Sequence, residues 1–596
     1  MNKSKKIEGI VIGFICYIFV LFLALHLYKA FLQVGTISNF DLLIKIFEDG
    51  IKNRPIFIPN QEELKIVAFI TMGFVIWILL YLTERKKNYM PGIEHGSARW
   101  GTEKEKRKLK NKKIDKNIVL SNDVFLSLNT KKTRKNLNVC ILGGSGAGKT
   151  RFYVKPNLMK LNTSYIVTDP KGDLFRETGK LFKENGYEIK VINTKSMNES
   201  MKYNLFKYIN SDDDVLKMVK TLIKNTNEGK NGGDPFWEKS ETTLLLALFF
   251  YLYYEAPKEE QNLPMIMEML DYAEVREDDE EFESDLDTLF RELEEENPQH
   301  IAVRQYNSYK VGAGKTLKSI LISVKTRLTF LTIPTVANLL STDEMELELI
   351  GDRKTILYVI IPDTDTTYNF IVAMLYTQLF DVLINRADNF HHGALPIPVR
   401  GIFDEFANIG QIPEFEKILA TIRSRGISAN IILQSIAQLK NMYKDTWEAI
   451  IDCCDSTVFL GGQKTAEYVS KKLGKTTIDN RTVNQTKGRN SSSSINNSIL
   501  CRDLMTTDEV ERMPDDDSIV FIRGQAPFYT KKYKIEKDKN YKYLGSDGDN
   551  PNNFYYEDLI EKNNSTQEKI KIEDISFDLE DIENLEYELS YELDEI

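Results

Sequence analysis

Asn136-Leu-Asn-Val-Cys-Ile-Leu142 runs directly into Gly143-Gly-Ser-Gly-Ala-Gly148-Lys149-Thr150. The first stretch reads as a short buried strand. The second satisfies G-x-x-x-x-G-K-[ST] between that strand and a helical pattern, the context in which such a loop binds phosphate. Its residues, Gly143, Gly144, Ser145, Gly146, Ala147, Gly148, Lys149 and Thr150, let backbone N–H groups curl around a polyphosphate while the new helix points its positive end at it. Lys149 is expected to reach the β/γ oxygens of ATP and Thr150 to ligate Mg²⁺. A second glycine cluster, Gly312-Ala-Gly-Lys-Thr316, has no apolar strand before it and reads as part of a helical region.

Outward from the loop, six further β-branched runs follow: Tyr165–Thr168, Lys190–Ile192, Thr355–Ile361, Val399–Phe403, Asn430–Leu433 and Thr457–Leu460. Helical patterns separate most of them, which predicts an α/β fold with a parallel, doubly wound sheet covered on both faces. Between Ser211 and Asp352 the alternation stops and the pattern is helical, as in Glu238–Leu252, with a charge-dense stretch from Glu274 to Glu296. An all-α insertion is the simplest account. Asn484–Ser498 has no apolar period and reads as a mobile loop.

A mononucleotide site also needs an acid at the end of a neighbouring strand, for Mg²⁺, and a group that orients water. Val399-Arg-Gly-Ile-Phe-Asp404-Glu405 supplies both, with Asp404 expected to hold Mg²⁺ through water and Glu405 to align the attacking water. Arg423 and Arg425 follow, and Arg423 is favoured as a finger reaching the nucleotide of an adjacent subunit. Gln434, at the end of the next strand, reads either as a phosphate sensor or as a turn-capping amide.

Towards the start, Ile10–Leu27 and Ile66–Leu82 are uncharged over 18 and 17 residues, each worth about 26 Å of helix against a hydrocarbon core of about 30 Å. Both are expected to span a membrane, with Trp77 and Tyr81 as interfacial anchors. Lys3, Lys5 and Lys6 precede the first and Arg85, Lys86 and Lys87 follow the second, whereas the segment between mixes five bases with five acids. Positive-inside bias then puts both termini in the cytoplasm of a multi-pass cell-membrane protein. Arg85–Lys116 carries 12 Lys and Arg, suiting anionic lipid or DNA.

The net charge of −10 belongs to the end of the chain: Tyr556 to Ile596 holds 15 acids and 3 bases, and the other 555 residues sum to +2. The body is near neutral, so the acidic total does not argue against a nucleic-acid partner. Five cysteines without repeated spacing form no disulfide framework, and five histidines with no Cys-x-x-Cys leave no zinc site. Five regions result: a membrane anchor (1–89), the first part of the nucleotide-binding domain (90–210), the all-α insert (211–352), the second part (353–545) and an acidic, disordered tail (546–596).

The order of the membrane spans, His95-Gly-Ser-Ala-Arg-Trp100, the glycine loop, Thr168-Asp-Pro-Lys-Gly-Asp173, Tyr203-Asn-Leu-Phe206, Phe236-Trp237, Phe403-Asp-Glu-Phe406 and Gln434-Ser-x-x-Gln438 resembles the type IV secretion coupling proteins, the TraG/TraD-like ATPases of conjugation. The resemblance implies a RecA-like P-loop NTPase sheet domain with an inserted all-α domain, assembled as a homo-hexamer at the membrane. Such a ring passes relaxase-bound single-stranded DNA to type IV secretion channel components. It also implies that Lys149, Thr150, Asp404 and Glu405 are the Walker residues, that Arg423 is the finger, that Gln434 is the sensor, and that Asp169 and Lys171 lie near the nucleotide. The acidic tail fits the family habit of docking relaxosome proteins. Two other classes compete. A membrane-anchored double-strand DNA translocase of chromosome-segregation type would carry a basic DNA-reading module where this chain has its acidic tail. A non-hydrolysing receptor would not need both Asp404 and Glu405.

Overall fold

The computed structural model describes residues 3–35, 39–54, 56–83, 90, 92–226, 235–277, 279, 282–486 and 492–560. They fall into two compact units, Met1–Glu94 and His95–Ile596.

The first unit holds helices Lys3–Val34, Phe40–Asn53 and Glu63–Thr83. Val11–Val34 and Glu63–Leu80 are long and apolar enough to cross a membrane. The helix Phe40–Asn53 lies in the segment between the two apolar runs, where the sequence reading gives a charge count and no element. Phe40, Leu43, Phe47 and Ile51 recur at helical spacing, and Leu43 is buried. Trp77, expected as an interfacial anchor, also packs against the first helix. A Cβ on Gly13 would lie 2.3 Å from its ring, so the absence of a side chain at Gly13 is what lets the first and third helices approach. The side chains of Lys3, Lys5, Lys6 and Tyr81, and residues Arg85, Lys86 and Lys87, lie outside the described residues, and with them the charges behind the orientation.

A third helix long and apolar enough to span, Asn369–Phe390, is instead core of the second unit. Its residues Phe370 to Phe380 are all buried, because that stretch packs against helix Asp212–Thr226 and against Phe403 at the end of the sheet.

The second unit is built on a nine-stranded sheet: β1 (Val139–Leu142), β2 (Ser164–Asp169), β3 (Glu188–Asn193), β4 (Thr355–Ile360), β5 (Val399–Phe403), β6 (Ile427–Leu433), β7 (Ser456–Phe459), β8 (Asp517–Ile522) and β9 (Phe528–Lys531). The spatial order is β9-β8-β7-β1-β6-β5-β2-β4-β3. The first seven strands are the runs read from the sequence, and every pairing among them is parallel. What the sequence reading left out is the antiparallel edge: β8 runs against both β7 and β9. Full burial of the central strands on both faces explains their continuous apolar character.

Between β3 and β4 the described residues form seven α-helices, from Asp212–Thr226 to Pro334–Leu339, and no strand. Lys315 and Thr316 open one of them, Gly314–Arg327, so the second glycine cluster builds no phosphate loop. Inside this layer Arg327 Nε donates to Glu241 (2.9 Å) and its Nη1 to Thr226 Oγ1 (2.9 Å), tying three helices through a buried ion pair.

Two stretches read as unstructured are ordered. The region read as a mobile loop contains parts of a long hairpin, Lys475–Thr486 paired antiparallel with Ser492–Asp503; residues 487–491 are not described. Both of its faces meet solvent, so Thr, Asn and Ser suffice and no apolar period betrays the strands. The tail reading also needs correction up to residue 560. Phe554 is buried against Phe175, and its N–H donates to Arg176 O (2.9 Å). Lys180 and Lys183 donate to the carbonyls of Pro551 (2.7 Å) and Asp558 (2.6 Å). The remainder, 561–596, lies outside the described residues.

Candidate nucleotide-binding site

β1 enters the glycine loop between β6 and β7, and those two strands hold its start. Gly143 N–H donates to Leu433 O (3.1 Å) and Gly144 N–H to Gly461 O (2.9 Å). Gly146 and Gly148 sit at φ +75° and +78°, where a side chain is disfavoured. At Gly148 a Cβ would also fall 2.4 Å from the Phe152 ring. The loop opens into a wide, π-helical turn, Thr150–Val154, followed by the α-helical turn Lys155–Leu158.

Lys149 is 7% exposed. Its ammonium lies 3.4 Å from Gly144 O and 3.7 Å from Glu405 Oε1. Thr150 Oγ1 donates to Asp404 Oδ2 at 2.7 Å, bringing together two residues far apart in sequence at the carboxyl ends of β1 and β5. A hydroxyl beside a carboxylate is a hard-oxygen pair that fits Mg²⁺, which prefers few protein oxygens and keeps water or phosphate for the rest. Burial pushes the Asp404 carboxyl up to about 6; the neighbouring Glu405 charge acts in the same direction, against the Thr150 hydrogen bond and Lys149. A cation at this carboxylate would favour its charged form.

Glu405 has φ +53°, a left-handed conformation uncommon for a residue with a side chain. Such strain persists only where the surroundings impose it and is typical of functional turns. Its N–H donates to Asp404 Oδ1 (3.1 Å), and both of its oxygens accept from Gln434 Nε2 (3.1 and 3.0 Å). Gln434 therefore uses its side chain on Glu405, while the turn-capping task falls to Gln438, whose Oε1 accepts the Gln434 N–H at 2.8 Å.

Arg423 is not part of this cluster. It is exposed, on the short turn Ile422–Arg425 that precedes β6, whereas Gln434 follows the same strand. The seven residues of β6 at about 3.3 Å each separate them by roughly 20 Å. Among the described residues the Arg423 side chain has no hydrogen-bond or ion-pair partner. Arg425 has two: its guanidinium donates to both oxygens of Asp388 (2.8 and 2.6 Å) and to Thr421 O (3.0 Å).

Asp169 ends β2, beside the Asp404 strand. Its carboxylate accepts from the N–H groups of Gly172 (3.0 Å) and Phe175 (2.8 Å), with a longer contact from Lys171 N–H (3.4 Å), and so shapes the turn into helix Asp173–Glu184. Burial nevertheless pushes its carboxyl up to about 6. Lys171 is exposed. The sequence reading missed Gly461 and also Lys532, whose ammonium meets the loop at Ala147 O (2.9 Å). Neither carries a local signal, because each acts only through tertiary neighbours.

A family profile described as Type IV secretory system Conjugative DNA transfer matches residues 98–569. The chain belongs to this family. Among curated relatives, the conjugal transfer protein TraG of Rhizobium radiobacter is 21% identical over 398 residues, which cover 65% of this chain and 60% of that protein; the chain thus matches about three fifths of that relative's length. Among solved structures, the plasmid coupling protein TrwB in complex with the non-hydrolysable ATP analogue ADPNP aligns with TM-score 0.53 at 16% identity, over 75% of this chain and 95% of that one. TrwB in complex with ADP and Mg²⁺ aligns with TM-score 0.51 at 16% identity, over 73% and 93%. The fold is accordingly the RecA-type P-loop NTPase fold of TrwB.

Proposed function

We propose that the chain is a membrane-anchored, Mg²⁺-dependent ATPase that couples relaxase-bound DNA to a type IV secretion channel during conjugative transfer. The observation that carries this reading is the preassembled cluster of Lys149, Thr150, Asp404, Glu405 and Gln434 in a chain of the conjugative DNA transfer family. TrwB, solved with ADPNP and with ADP and Mg²⁺, supports nucleotide and Mg²⁺ as ligands of this fold.

Lys149 neutralises β/γ oxygens, exchanging its present contacts with Gly144 O and Glu405 for phosphate. Thr150 and Asp404 hold Mg²⁺, which spreads the charge developing on the phosphates. Release from Lys149 leaves Glu405 held by Gln434 alone, free to accept a hydrogen bond from the attacking water and align it. Gln434 touches Glu405 and is exposed toward the same cleft, so it is suited to report phosphate occupancy. Arg423 completes the site of the next subunit in a homo-hexamer, in line with its exposure and lack of a partner. The two apolar helices anchor the ring in the cell membrane with both termini cytoplasmic, and the acidic tail captures basic relaxosome proteins. The conjugative family match favours this reading over the chromosome-segregation translocase.

The test is ATPase activity of the purified protein with and without single-stranded DNA, alongside its particle mass. DNA-stimulated, Mg²⁺-dependent turnover by a hexamer is expected; absence of turnover under every assembly condition would leave a receptor instead. For the tail, pull-down of relaxosome proteins by the full chain and by a variant ending at Ile560 is expected to differ. The difference should shrink as salt rises and the Debye length falls below about 8 Å. Equal capture at all salt concentrations removes the tail from substrate recognition.

A further inference from the structure

Lys532 follows β9 directly, at the antiparallel edge of the sheet, yet its side chain reaches the glycine loop. Its ammonium donates to Ala147 O at 2.9 Å and lies 5.2 Å from the centroid of the Phe152 ring. The residue is 6% exposed, and its own N–H is fixed by Asp516 O at 2.7 Å. Phe152 is also the ring that fills the space beside Gly148, so ring, glycine and ammonium form one packed unit under the loop. A lysine so buried beside a carbonyl loses rotamer freedom and hydration, a cost that surface packing alone does not explain.

The geometry of the peptide unit says what the contact does. A trans peptide is planar, with the carbonyl of one residue and the N–H of the next on opposite sides. By holding the Ala147 carbonyl toward its ammonium, Lys532 turns the Gly148 N–H to the opposite side of the peptide. Among the described residues that N–H has no acceptor, and Gly148 opens the Lys149-Thr150 pair. Phosphate loops bind through such outward-facing N–H groups. Gly148, at φ +78° and without a Cβ, offers little conformational resistance of its own to a flip of this peptide.

We propose that Lys532 is a positioning residue of the nucleotide site, whose ammonium locks the Ala147–Gly148 peptide with its N–H facing the polyphosphate. This deepens the ATPase reading and rests on it. The ligand class is a nucleoside di- or triphosphate, and the contact that Lys532 improves is to phosphate, not to base or sugar.

The experiment titrates ADP into the full-length detergent-solubilised protein and into Lys532→Met, Lys532→Gln and Lys532→Arg. Losing an oriented donor to a charged ligand corresponds to about a tenfold or greater weakening, and that is expected for Met. Gln, which keeps a neutral donor, falls between Met and wild type, and Arg restores most of the affinity. In turnover the loss falls on KM more than on kcat, because the loop grips phosphate similarly in ground and transition states. A purely structural lysine would lower the ADP-free melting temperature without moving Kd. A wild-type Kd for ADP in whichever of Met and Gln folds, with Lys149→Ala binding weakly beside it, overturns the proposal and leaves the nucleotide site standing. Wild-type ADP affinity in Lys149→Ala as well overturns the nucleotide reading itself, and this proposal with it.

Discussion

The two ends of the parallel strands carry the same kinds of residue in opposite states. At the carboxyl ends, Lys149, Thr150, Asp404, Glu405 and Gln434 are already in contact: Thr150 donates to Asp404 at 2.7 Å and Gln434 to Glu405 at 3.0 Å. At the amino end of β6, two arginines stand two residues apart with different fates. Arg425 is spent on Asp388, and Arg423 is exposed, with no partner for its side chain among the described residues. One end is a site that a single chain completes; the other holds a guanidinium that a single chain does not use. The difference sets what one copy brings together apart from what the proposed finger would have to do for a second copy, and each variant below breaks or sharpens that contrast.

The largest effect belongs to Lys149→Ala, which removes the charge from the completed end. Hydrolysis is expected to fall by on the order of a thousandfold, with membrane insertion unchanged, because in the proposed role Lys149 stabilises phosphate rather than the core. Substantial residual DNA-stimulated ATPase would show that the completed end is not the active one.

Arg423→Ala addresses the unused guanidinium. A finger in trans contributes on the order of a thousandfold or more, and its loss is complementable. Rings mixed from Arg423→Ala and Lys149→Ala subunits contain some interfaces with both groups intact and should recover activity above either parent. If mixed rings form, as a tagged pull-down would verify, and recover nothing, Arg423 does not act across an interface.

Glu405→Gln keeps shape and loses the charge that, in the proposed role, polarises water, so a slowdown of about a hundredfold is expected while ADP affinity holds. An unchanged rate would assign water alignment elsewhere and strip the completed end of its base.

Arg425→Ala is the smallest and the control for the second arginine. Its pair with Asp388 is partly exposed, and such solvent-screened pairs contribute little to stability. A slightly lower melting temperature with normal turnover is expected. Turnover as poor as that of Arg423→Ala would erase the distinction between the two.

All seven parallel strands were legible because burial on both faces demands uninterrupted β-branched residues, and helices between them demand a different period. The β8–β9 hairpin went unread although Asp517–Ile522 is fully buried, since the two strands are antiparallel and joined directly, outside the strand–helix alternation that marks the other runs. The hairpin Lys475–Thr486 with Ser492–Asp503 was misread for the opposite reason: it has no buried face to impose a pattern. Phe554 illustrates a third limit. A single aromatic in a polar stretch looks like tail until Phe175 and helix Asp173–Glu184 provide a place to bury it.

Local chemistry sufficed for the phosphate loop, the Asp404-Glu405 pair and the two long apolar helices, because each depends on residues adjacent in the chain: glycines that permit positive φ, acids at the end of a buried strand, an unbroken apolar run. Which groups meet is a matter of the sheet. Strand order 7-1-6-5 puts Gly461 against the loop, sets Thr150 on Asp404 and lays Gln434 on Glu405, and the edge strands bring Lys532 under Ala147. It also sends Arg423 to the far end of β6, although it lies only 18 residues after Glu405 in the chain. Strand pairing joins residues by register rather than by sequence separation, so proximity in the chain says nothing about which end of the sheet a side chain will occupy.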